Sequence, residues 1–149
     1  MLEKYKEKRD FTKTGEPEGR LEESDSKENI FVIQEHHARN LHYDLRLEIE
    51  GVLKSWAVPK EPPEKPGIKR LAIQTEDHPL NYADFEGTIP QGQYGAGKVK
   101  IWDKGRFIPE KITEKEILFR LEGRRMKGDY VLVKTRFGKG SWLFFKKKE

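Results

Sequence analysis

The stretch from His36 to Glu50 reads HHARNLHYDLRLEIE and contains three of the four histidines in the chain. From Leu41 onward, apolar and polar residues alternate without a break to Glu50. Alternation with a period of two over this length predicts a β-strand with one buried face. Leu41, Tyr43, Leu45, Leu47 and Ile49 form that apolar face. The fold is therefore expected to be built around a sheet that contains this strand.

The polar face of the strand carries an unusual set of side chains. His42, Asp44 and Arg46 follow one another on it, with about 6.6 to 6.8 Å between successive positions on one face. At that spacing His42 and Asp44 can share a metal ion, and Arg46 can hold an anion bound to the metal. We therefore hypothesise a metal-assisted phosphoryl site on the outside or at the mouth of a β-sheet. A surface ladder of cross-strand ion pairs is the alternative.

The preceding segment adds a third candidate ligand. Ile30–Glu35 is predicted to be a short strand that ends at His36, next to the strand that begins at Leu41. The resulting pattern is H-x5-H-x-D, and two imidazoles with a carboxylate suit Mn²⁺, Zn²⁺ or Fe²⁺ better than Ca²⁺ or Mg²⁺. His37 has the opposite parity, so we predict that it is a bystander.

Length and composition limit the class of protein. The chain has 149 residues, which suggests one domain, and it contains no cysteine, which excludes disulfides and thiolate metal sites. Its longest apolar runs are far shorter than the roughly 18 residues of a membrane span. The N-terminus also lacks the apolar segment of a signal peptide. These features predict a soluble, cytoplasmic protein without membrane association.

Charge is unevenly distributed along the chain. Residues 1–29 hold seven Lys/Arg against nine Asp/Glu, whereas residues 30–149 hold 23 against 17. A basic body can bind nucleic acid, although solubility explains such an excess equally well. Residues 1–29 lack periodicity, which is typical of a mobile arm. The run Lys8-Arg9-Asp10-Phe11 instead favours an arm that folds back onto the body, and both interpretations remain open.

The rest of the chain predicts more short strands. A β-hairpin with a turn at Asp103-Lys104-Gly105 is one of them, and the others are Val52–Val58, Arg70–Glu76, Glu116–Glu122, Asp129–Thr135 and Ser141–Phe145. About eight strands indicate a mostly antiparallel barrel or sandwich with at most one or two helices.

Two further motifs have ordinary interpretations. Gly92-x4-Gly97-Lys98 imitates a phosphate-binding P-loop, but Val99 stands where Ser or Thr would be required and no helix follows. We expect these glycines to shape a tight loop at the rim of the sheet. His78 precedes a proline, a position typical of a turn residue.

The chain resembles the 3′-phosphoesterase domain attached to the ATP-dependent DNA ligases of bacterial end joining, the ligase D type. The runs that carry the resemblance are HHARNLHYDLRLE, VLKSWAVPK and KRLAIQTEDHPLNYADFEGTIPQGQYGAGKVKIWDKG, together with KRDF and GSWLFFKK. The family implies a compact antiparallel β-barrel at residues 30–149 with a metal site on its outer surface. It also implies that residues 1–29 form an arm that folds onto the active site.

The resemblance further implies an activity. This activity is 3′-end healing, in which a terminal ribonucleoside is removed to leave a 3′-phosphate and the phosphate is then removed to leave a 3′-OH. The expected metal is Mn²⁺, with Zn²⁺ or Co²⁺ possible. The expected substrate is a DNA primer-template with a 3′-ribonucleotide or a 3′-phosphate. No polymerase or ligase sequence is present, so we expect the chain to act alone or with a separate ligase and polymerase.

The resemblance assigns roles to individual residues. The metal ligands fall on His36, His42 and Asp44, which alternation also selects. Catalytic and phosphate-contacting positions fall on Arg46, Lys60, Arg70 and His78, with Tyr82 and Gln34 in support. Functional positions of the arm fall on Arg9, Asp10 and Glu16. We expect His78 either to protonate the leaving oxygen or to bind the phosphate as a cation.

Two rival functions remain. His42-x-Asp44 with the distant His78 has the form of a non-haem iron oxygenase site, but it leaves His36 and the basic residues without a role. The second rival is a barrel that binds nucleic-acid ends for a ligase without catalysis. Turnover by a metal-loaded preparation separates the three functions.

Overall fold

The computed structural model describes residues 2–17 and 29–148. Nine strands form one antiparallel sheet that closes on itself. The strands are β1 (Asn29–His37), β2 (Leu41–Ile49), β3 (Val52–Val58), β4 (Lys69–His78), β5 (Gly87–Ile89), β6 (Gly97–Ile112), β7 (Glu116–Glu122), β8 (Lys127–Lys134) and β9 (Ser141–Lys146). Their order is β1-β2-β3-β4-β9-β8-β7-β6-β5, and β1 also pairs with β6. This last pairing closes eight strands into a barrel, with β5 as an additional strand beside β6.

Side chains from alternate positions fill the barrel. Leu45 and Leu47 of β2, Phe31 of β1 and Trp56 of β3 are fully or almost fully buried in this core. An eight-stranded barrel has an interior just wide enough for side chains to fill. The predicted strand is confirmed, with the face from Leu45 to Ile49 in the core. Leu41 itself is exposed, and the polar face is also buried from Asp44 to Glu48.

A second apolar cluster lies on the outer face of the barrel. It consists of Tyr5, Val32, Leu53, Tyr82 and Ala83. Two short helices, α1 (Glu3–Glu7) and α2 (Phe11–Thr14), and a 3₁₀-helix (Leu80–Asp84) accompany the strands. Because the cluster joins α1 and the 3₁₀-helix to β1 and β3, residues 2–17 are held against the outside of the barrel.

The predicted fold class is confirmed, with one element corrected. Asp103-Lys104-Gly105 is not a hairpin turn, because β6 runs through it without interruption for 16 residues. The Asp103 carboxylate instead accepts backbone N–H groups from the loop between β7 and β8, at 2.8 to 3.1 Å. A Cβ at Gly105 would overlap the carbonyl oxygen of Glu122. The glycine therefore allows close approach of two strands rather than a reversal.

The structure describes only part of the predicted arm. β1 begins at Asn29, close to the predicted division, but residues 18–28 lie outside the described residues. The division of the chain into an arm and a barrel therefore stays a prediction. Within the described ranges, no helix is long and apolar enough to cross a membrane.

Candidate active site

Three potential metal ligands meet on the outer face of β1 and β2. The antiparallel register places His36 opposite His42 and Gln34 opposite Asp44. One ligand atom from each of His36, His42 and Asp44 lies within 4.8 Å of the others. His36 and Asp44 are buried and His42 is half-buried. Strand pairing thus assembles the predicted metal triad, which can hold a divalent ion.

Backbone carbonyls fix the orientation of both imidazoles. His36 Nε2 donates to the Gly95 carbonyl at 2.7 Å, and His42 Nδ1 donates to the Asn40 carbonyl at 3.2 Å. The other ring nitrogens face Asp44, at 3.5 Å for His36 Nδ1 and 3.3 Å for His42 Nε2. A ligating histidine commonly donates its second N–H in this way, which leaves the lone pair on the nitrogen that faces the metal. These contacts fix the ring orientations, so a metal ion that replaces the protons between the imidazoles and Asp44 would meet both facing nitrogens.

Gly95 explains the function of the glycine-rich segment. It lies in the predicted rim loop between β5 and β6, and its φ of 76° is a conformation that favours glycine. The backbone of this loop supplies a hydrogen-bond acceptor to His36. It does not form a phosphate-binding loop. The rejection of the P-loop is consistent with the strand, not a helix, that starts at Gly97.

Asp44 is ionised despite its burial. Burial opposes the charged form, but Arg46 and hydrogen bonds with His36 and His42 outweigh it and hold the pKa of Asp44 below its usual range. The hydrogen bond with Asp44 in turn raises the pKa of His42. A carboxylate kept in its charged form is ready to bind a cation.

Arg46 is fixed beside the triad. Its Nε donates to Gln34 Oε1 at 2.7 Å, and its Nη1 donates to Ser55 Oγ at 3.0 Å. Its Nη2 lies 3.5 Å from Asp44 Oδ2. Gln34 is itself anchored through its Nε2 to the carbonyl of Tyr82 at 2.8 Å. The guanidinium is thus oriented by neutral partners and keeps a positive charge next to the metal ligands.

His78 lines the cavity and ends a strand, and it does not lie in a turn. It is the last residue of β4 and is 3% exposed. Between Leu53 and Ser55 the pairing of β3 with β4 shifts register, so His78 lies opposite Leu53. A β-bulge of this kind re-aims side chains, and here it turns His78 rather than Asp77 towards the cavity.

The surroundings of His78 disfavour its cationic form. Burial, together with the charges of Arg46 and Arg9, holds the pKa of His78 well below its ordinary value. Nδ1 lies 2.9 Å from the Glu76 carbonyl, to which it can donate, and Nε2 lies 3.2 Å from Arg9 Nη2, from which it can accept. The expectation that His78 binds phosphate as a cation does not fit this environment.

Residues 2–17 contribute charged groups to the same place. Arg9 donates to Glu16 Oε2 at 2.9 Å and to Glu76 Oε1 at 3.1 Å. Tyr82 Oη donates to Glu16 Oε2 at 2.6 Å. The second carboxylate oxygen of Glu16 is buried and has no hydrogen-bond partner among the described residues. Arg9 therefore lies in the cavity wall with Glu16 behind it, although both are far from the triad in sequence.

These residues line one cavity of about 240 Å³. Its walls include His36, His42, Asp44, Arg46, His78, Tyr82, Arg9, Glu76, Tyr94 and Gly95. Among them, Glu76, Tyr94 and Gly95 are not sequence-predicted site residues. Glu76 shares the parity of His78, so alternation along β4 could have indicated it. No local pattern distinguishes Tyr94 or Gly95 from other loop residues.

Five predicted site residues lie outside the walls of the cavity. Two of them, Gln34 and Glu16, bond directly to the wall residues Arg46 and Arg9. Asp10 is exposed and caps α2, with its Oδ1 accepting the Thr12 N–H at 3.1 Å. Arg70 donates through Nε to the Glu61 carbonyl at 2.7 Å. Lys60 is exposed, two residues beyond the end of β3. Their assigned roles stay predictions, as do those of the other site residues.

Comparison with known proteins identifies the family. The model of the DNA ligase D 3′-phosphoesterase domain matches residues 34–134. The chain belongs to this family. It is 49% identical to the multifunctional non-homologous end joining protein LigD of Pseudomonas aeruginosa, over 99% of this chain and 19% of the relative. It is 51% identical to the non-homologous end joining DNA repair protein LigD of Mycobacterium tuberculosis, over 90% of this chain and 18% of the relative.

The match has a clear extent. The chain spans about a fifth of the length of these relatives. The family match includes the triad, Arg46, His78 and Tyr82, but it begins after Arg9 and Glu16. Membership in this 3′-phosphoesterase family agrees with a cavity that combines possible metal ligands with fixed positive charge.

Proposed function

We propose that this protein is a metal-dependent 3′-phosphoesterase that heals DNA ends. It removes a 3′-terminal ribonucleoside to leave a 3′-phosphate and then hydrolyses the phosphate to a 3′-OH. The observation that carries the proposal is the cavity in which His36, His42 and Asp44 face the guanidiniums of Arg46 and Arg9. A cation site beside two fixed positive charges suits a phosphoryl group, whose oxygens carry the charge that must be stabilised.

The triad would hold a divalent metal, and its nitrogen and oxygen donors suit Mn²⁺, Zn²⁺ or Fe²⁺. Of these we propose Mn²⁺, which the resemblance to the family implies. When bound, the ion would supply Lewis acidity at a phosphoryl oxygen. Arg46 is held by Gln34 and Ser55, so its charge is preorganised for the transition state and needs no rearrangement. Arg9 would add a second charge from the side of α2, and Lys60 and Arg70 would act from the end of β3.

In this proposal His78 acts by its position between Arg9 and Arg46. It touches Arg9 through Nε2 and lies 3.1 Å from Arg46 Nη1 through Nδ1. A neutral imidazole between two guanidiniums separates their charges and keeps both in the cavity. Tyr82 and Glu16 would hold Arg9 from the other side, since Glu16 accepts from both of them.

The biological setting follows from the relatives. Their names assign them to non-homologous end joining and, in one case, to DNA repair. We propose that this protein prepares 3′ ends of primer-template DNA for joining, in the cytoplasm, with a ligase and a polymerase as partners.

The test uses a 5′-labelled primer-template that ends in one ribonucleotide and protein stripped of metal with a chelator. With added Mn²⁺ we expect a 3′-phosphate strand to appear first and a 3′-OH strand afterwards, with neither formed without metal. Product with metal-free protein would contradict metal dependence. Binding without turnover, under any divalent metal, would favour the end-binding function instead.

The oxygenase function receives less support from the geometry. It requires His78 as a ligand with His42 and Asp44, whereas the clustered ligand atoms among the described residues belong to His36, His42 and Asp44. The Nε2 of His78 already accepts from Arg9. We therefore retain phosphoryl chemistry as the function that this cavity supports best.

A further inference from the structure

A second, larger cavity adjoins the candidate active site. This groove has a volume of about 730 Å³ and shares Thr75, Glu76 and Tyr94 with the walls of the first cavity. Tyr94 is 41% exposed and forms the lip between the two. A strand whose 3′ end enters the active site must leave along a neighbouring surface, and this groove offers one.

Lysines line the groove from both sides. Lys4 and Lys8 come from α1 and the residue after it, and Lys134 and Lys139 come from β8 and the loop that follows it. Lys8 is engaged with Glu76 Oε2 at 3.1 Å. Within the described part of the chain, Lys4, Lys134 and Lys139 are exposed and form no ion pair. Three cations are thus free for an external anion.

The acidic residues in the groove are largely neutralised. Glu76 is paired with Lys8 and with Arg9, each at 3.1 Å. Asp77 is paired with Lys54 at 3.1 Å. Glu3 also lines the groove, and the three lysines without an ion pair outnumber it. The excess of positive charge suits the repeating negative charge of a nucleic-acid backbone.

An aromatic side chain stands beside these lysines. Phe137, in the loop between β8 and β9, is 91% exposed. It lies between the exposed residues Arg136 and Lys139 in sequence. Exposed aromatic side chains interleaved with cations are typical of surfaces that bind nucleic acid, because phosphates contact the cations while the rings contact sugars or unpaired bases.

The distance along β4 sets how many nucleotides the groove can contact. Gly140 at the end of this loop bonds through its carbonyl to the Gln74 N–H at 2.8 Å. His78 lies four residues further along β4, or about 13 Å at the rise of a strand. A duplex strand rises 3.4 Å per nucleotide, so the groove spans about four nucleotides between the active site and the loop.

We infer that the groove and the β8–β9 loop bind the sugar-phosphate backbone of the DNA strand whose 3′ end lies in the active site. Lys4, Lys134 and Lys139 contact phosphates about one to four nucleotides from the end, and Phe137 packs against a sugar beyond them. This inference rests on the proposed function, because it takes the substrate to be a DNA 3′ end. It adds a binding surface that lies outside the metal triad and its cavity.

The experiment measures binding separately from catalysis. A fluorescent primer-template with an ordinary 3′-OH is titrated with metal-free protein at several salt concentrations between 50 and 200 mM. In the variant Lys134→Ala/Lys139→Ala, we expect affinity at least tenfold weaker than that of the parent protein and a log–log salt slope shallower by about 1.8, since each phosphate contact contributes about 0.9. Phe137→Ala should weaken binding about fivefold or more with an unchanged slope, because an apolar contact releases no counterions.

A matched control comes from the same strand. Lys127 is exposed at the other end of β8, about 23 Å from Lys134 at strand rise, and Lys148 is exposed near the C-terminal end of the described residues. Lys127→Ala/Lys148→Ala removes the same charge and should keep the salt slope of the parent protein. Equal slopes for both double variants would overturn the groove assignment. Groove-dependent binding by a protein that turns over no substrate with Mn²⁺ would support the groove and reject the proposed function.

Discussion

The guanidinium of Arg9 lies against the imidazole of His78, with Arg9 Nη2 3.2 Å from His78 Nε2. A guanidinium can only donate hydrogen bonds, so His78 must accept through Nε2 and is neutral in this contact. The contact joins the first nine residues of the chain to the end of β4. It also places a positive charge on the outer side of a buried histidine, opposite Arg46.

Removal of Arg9 should change the titration of His78. Arg9→Ala eliminates one of the charges that lower the pKa of His78, so we expect that pKa to rise towards its ordinary value. The His78 ring signals, followed by NMR across a pH series, provide the measurement. Lys13→Ala is the control, because Lys13 is exposed and, among the residues that the structure describes, pairs with Asp10 alone. An unchanged His78 titration in Arg9→Ala would contradict the contact.

The lowered pKa of His78 also predicts how the stability of the protein depends on pH. Because its pKa is lowered in the folded state, the unfolded chain binds more protons below about pH 6.5, and the folded protein loses stability there. The loss continues, at up to about 1.4 kcal/mol per pH unit, until the pH reaches the folded pKa. Comparison with His78→Asn isolates the effect, because other titrating groups, including His42, are common to both proteins.

Denaturant unfolding at pH 7 and at pH 5 measures this effect. The difference in unfolding free energy between the parent protein and His78→Asn should shrink at pH 5. A difference that is constant or grows towards acid would show that the buried His78 is protonated in the folded protein.

Metal binding should depend on Asp44 and should not depend on His37. We expect Mn²⁺ to raise the melting temperature, since a ligand at 100 times its dissociation constant stabilises a protein by about 2.7 kcal/mol. Asp44→Asn and His42→Ala should abolish this shift and both esterase steps without unfolding the barrel. His37→Ala is the matched control, because His37 faces away from the triad and contacts Glu35 at 2.6 Å. Normal activity in Asp44→Asn would contradict the metal assignment.

Sequence alone predicted the part of the site that lies on β1 and β2, two strands that follow one another in the chain. The alternation of β2 placed His42, Asp44 and Arg46 on one face, and the short connection after β1 brought His36 beside them. These relationships involve residues close in sequence, where a period of two is sufficient. The same reasoning placed His37 on the other side.

The remainder depends on contacts that no local pattern contains. Arg9 meets Glu76 across 67 positions of sequence, and Tyr82 meets Glu16 across 66. His78 faces the cavity because a bulge shifts the register of β4, and strict alternation would have selected Asp77. At Asp103 to Gly105, the turn propensity of the residues was overridden by closure of the barrel, which requires one long strand.

The hydrogen bond from Tyr82 to Glu16 should contribute to stability. Tyr82→Phe leaves a buried carboxylate with one fewer donor, which should cost about 1–3 kcal/mol in unfolding free energy. The fully buried contact of the Tyr82 ring with the outer cluster is retained in this variant. Tyr43→Phe is the control, since the Tyr43 hydroxyl forms no hydrogen bond with the described residues. Equal unfolding free energies for the two variants would show that the Glu16 contact adds nothing.

Variants of Lys60 test how much positive charge each of the two steps requires, removal of the ribonucleoside and removal of the 3′-phosphate. β3 ends at Val58, which pairs with Tyr43 of β2, so Lys60 leaves the sheet at the same end as His42. We propose that its long, flexible side chain reaches a phosphate at the triad. A phosphate monoester carries more negative charge than a diester, so Lys60→Ala and Arg70→Ala should impair removal of the 3′-phosphate more than removal of the ribonucleoside.

The measurement compares kcat/KM of each variant on two substrates, one ending in a 3′-phosphate and the other in a ribonucleotide. We expect the monoester reaction of Lys60→Ala to fall at least tenfold further than its diester reaction, about 1.4 kcal/mol of transition-state stabilisation. Lys65→Ala removes an exposed lysine from the same connection and should affect neither step. Arg70 is tethered to the Glu61 carbonyl, so its loss should also disturb the segment that carries Lys60. Equal losses in both steps would mean that these residues bind the DNA generally rather than the terminal phosphate.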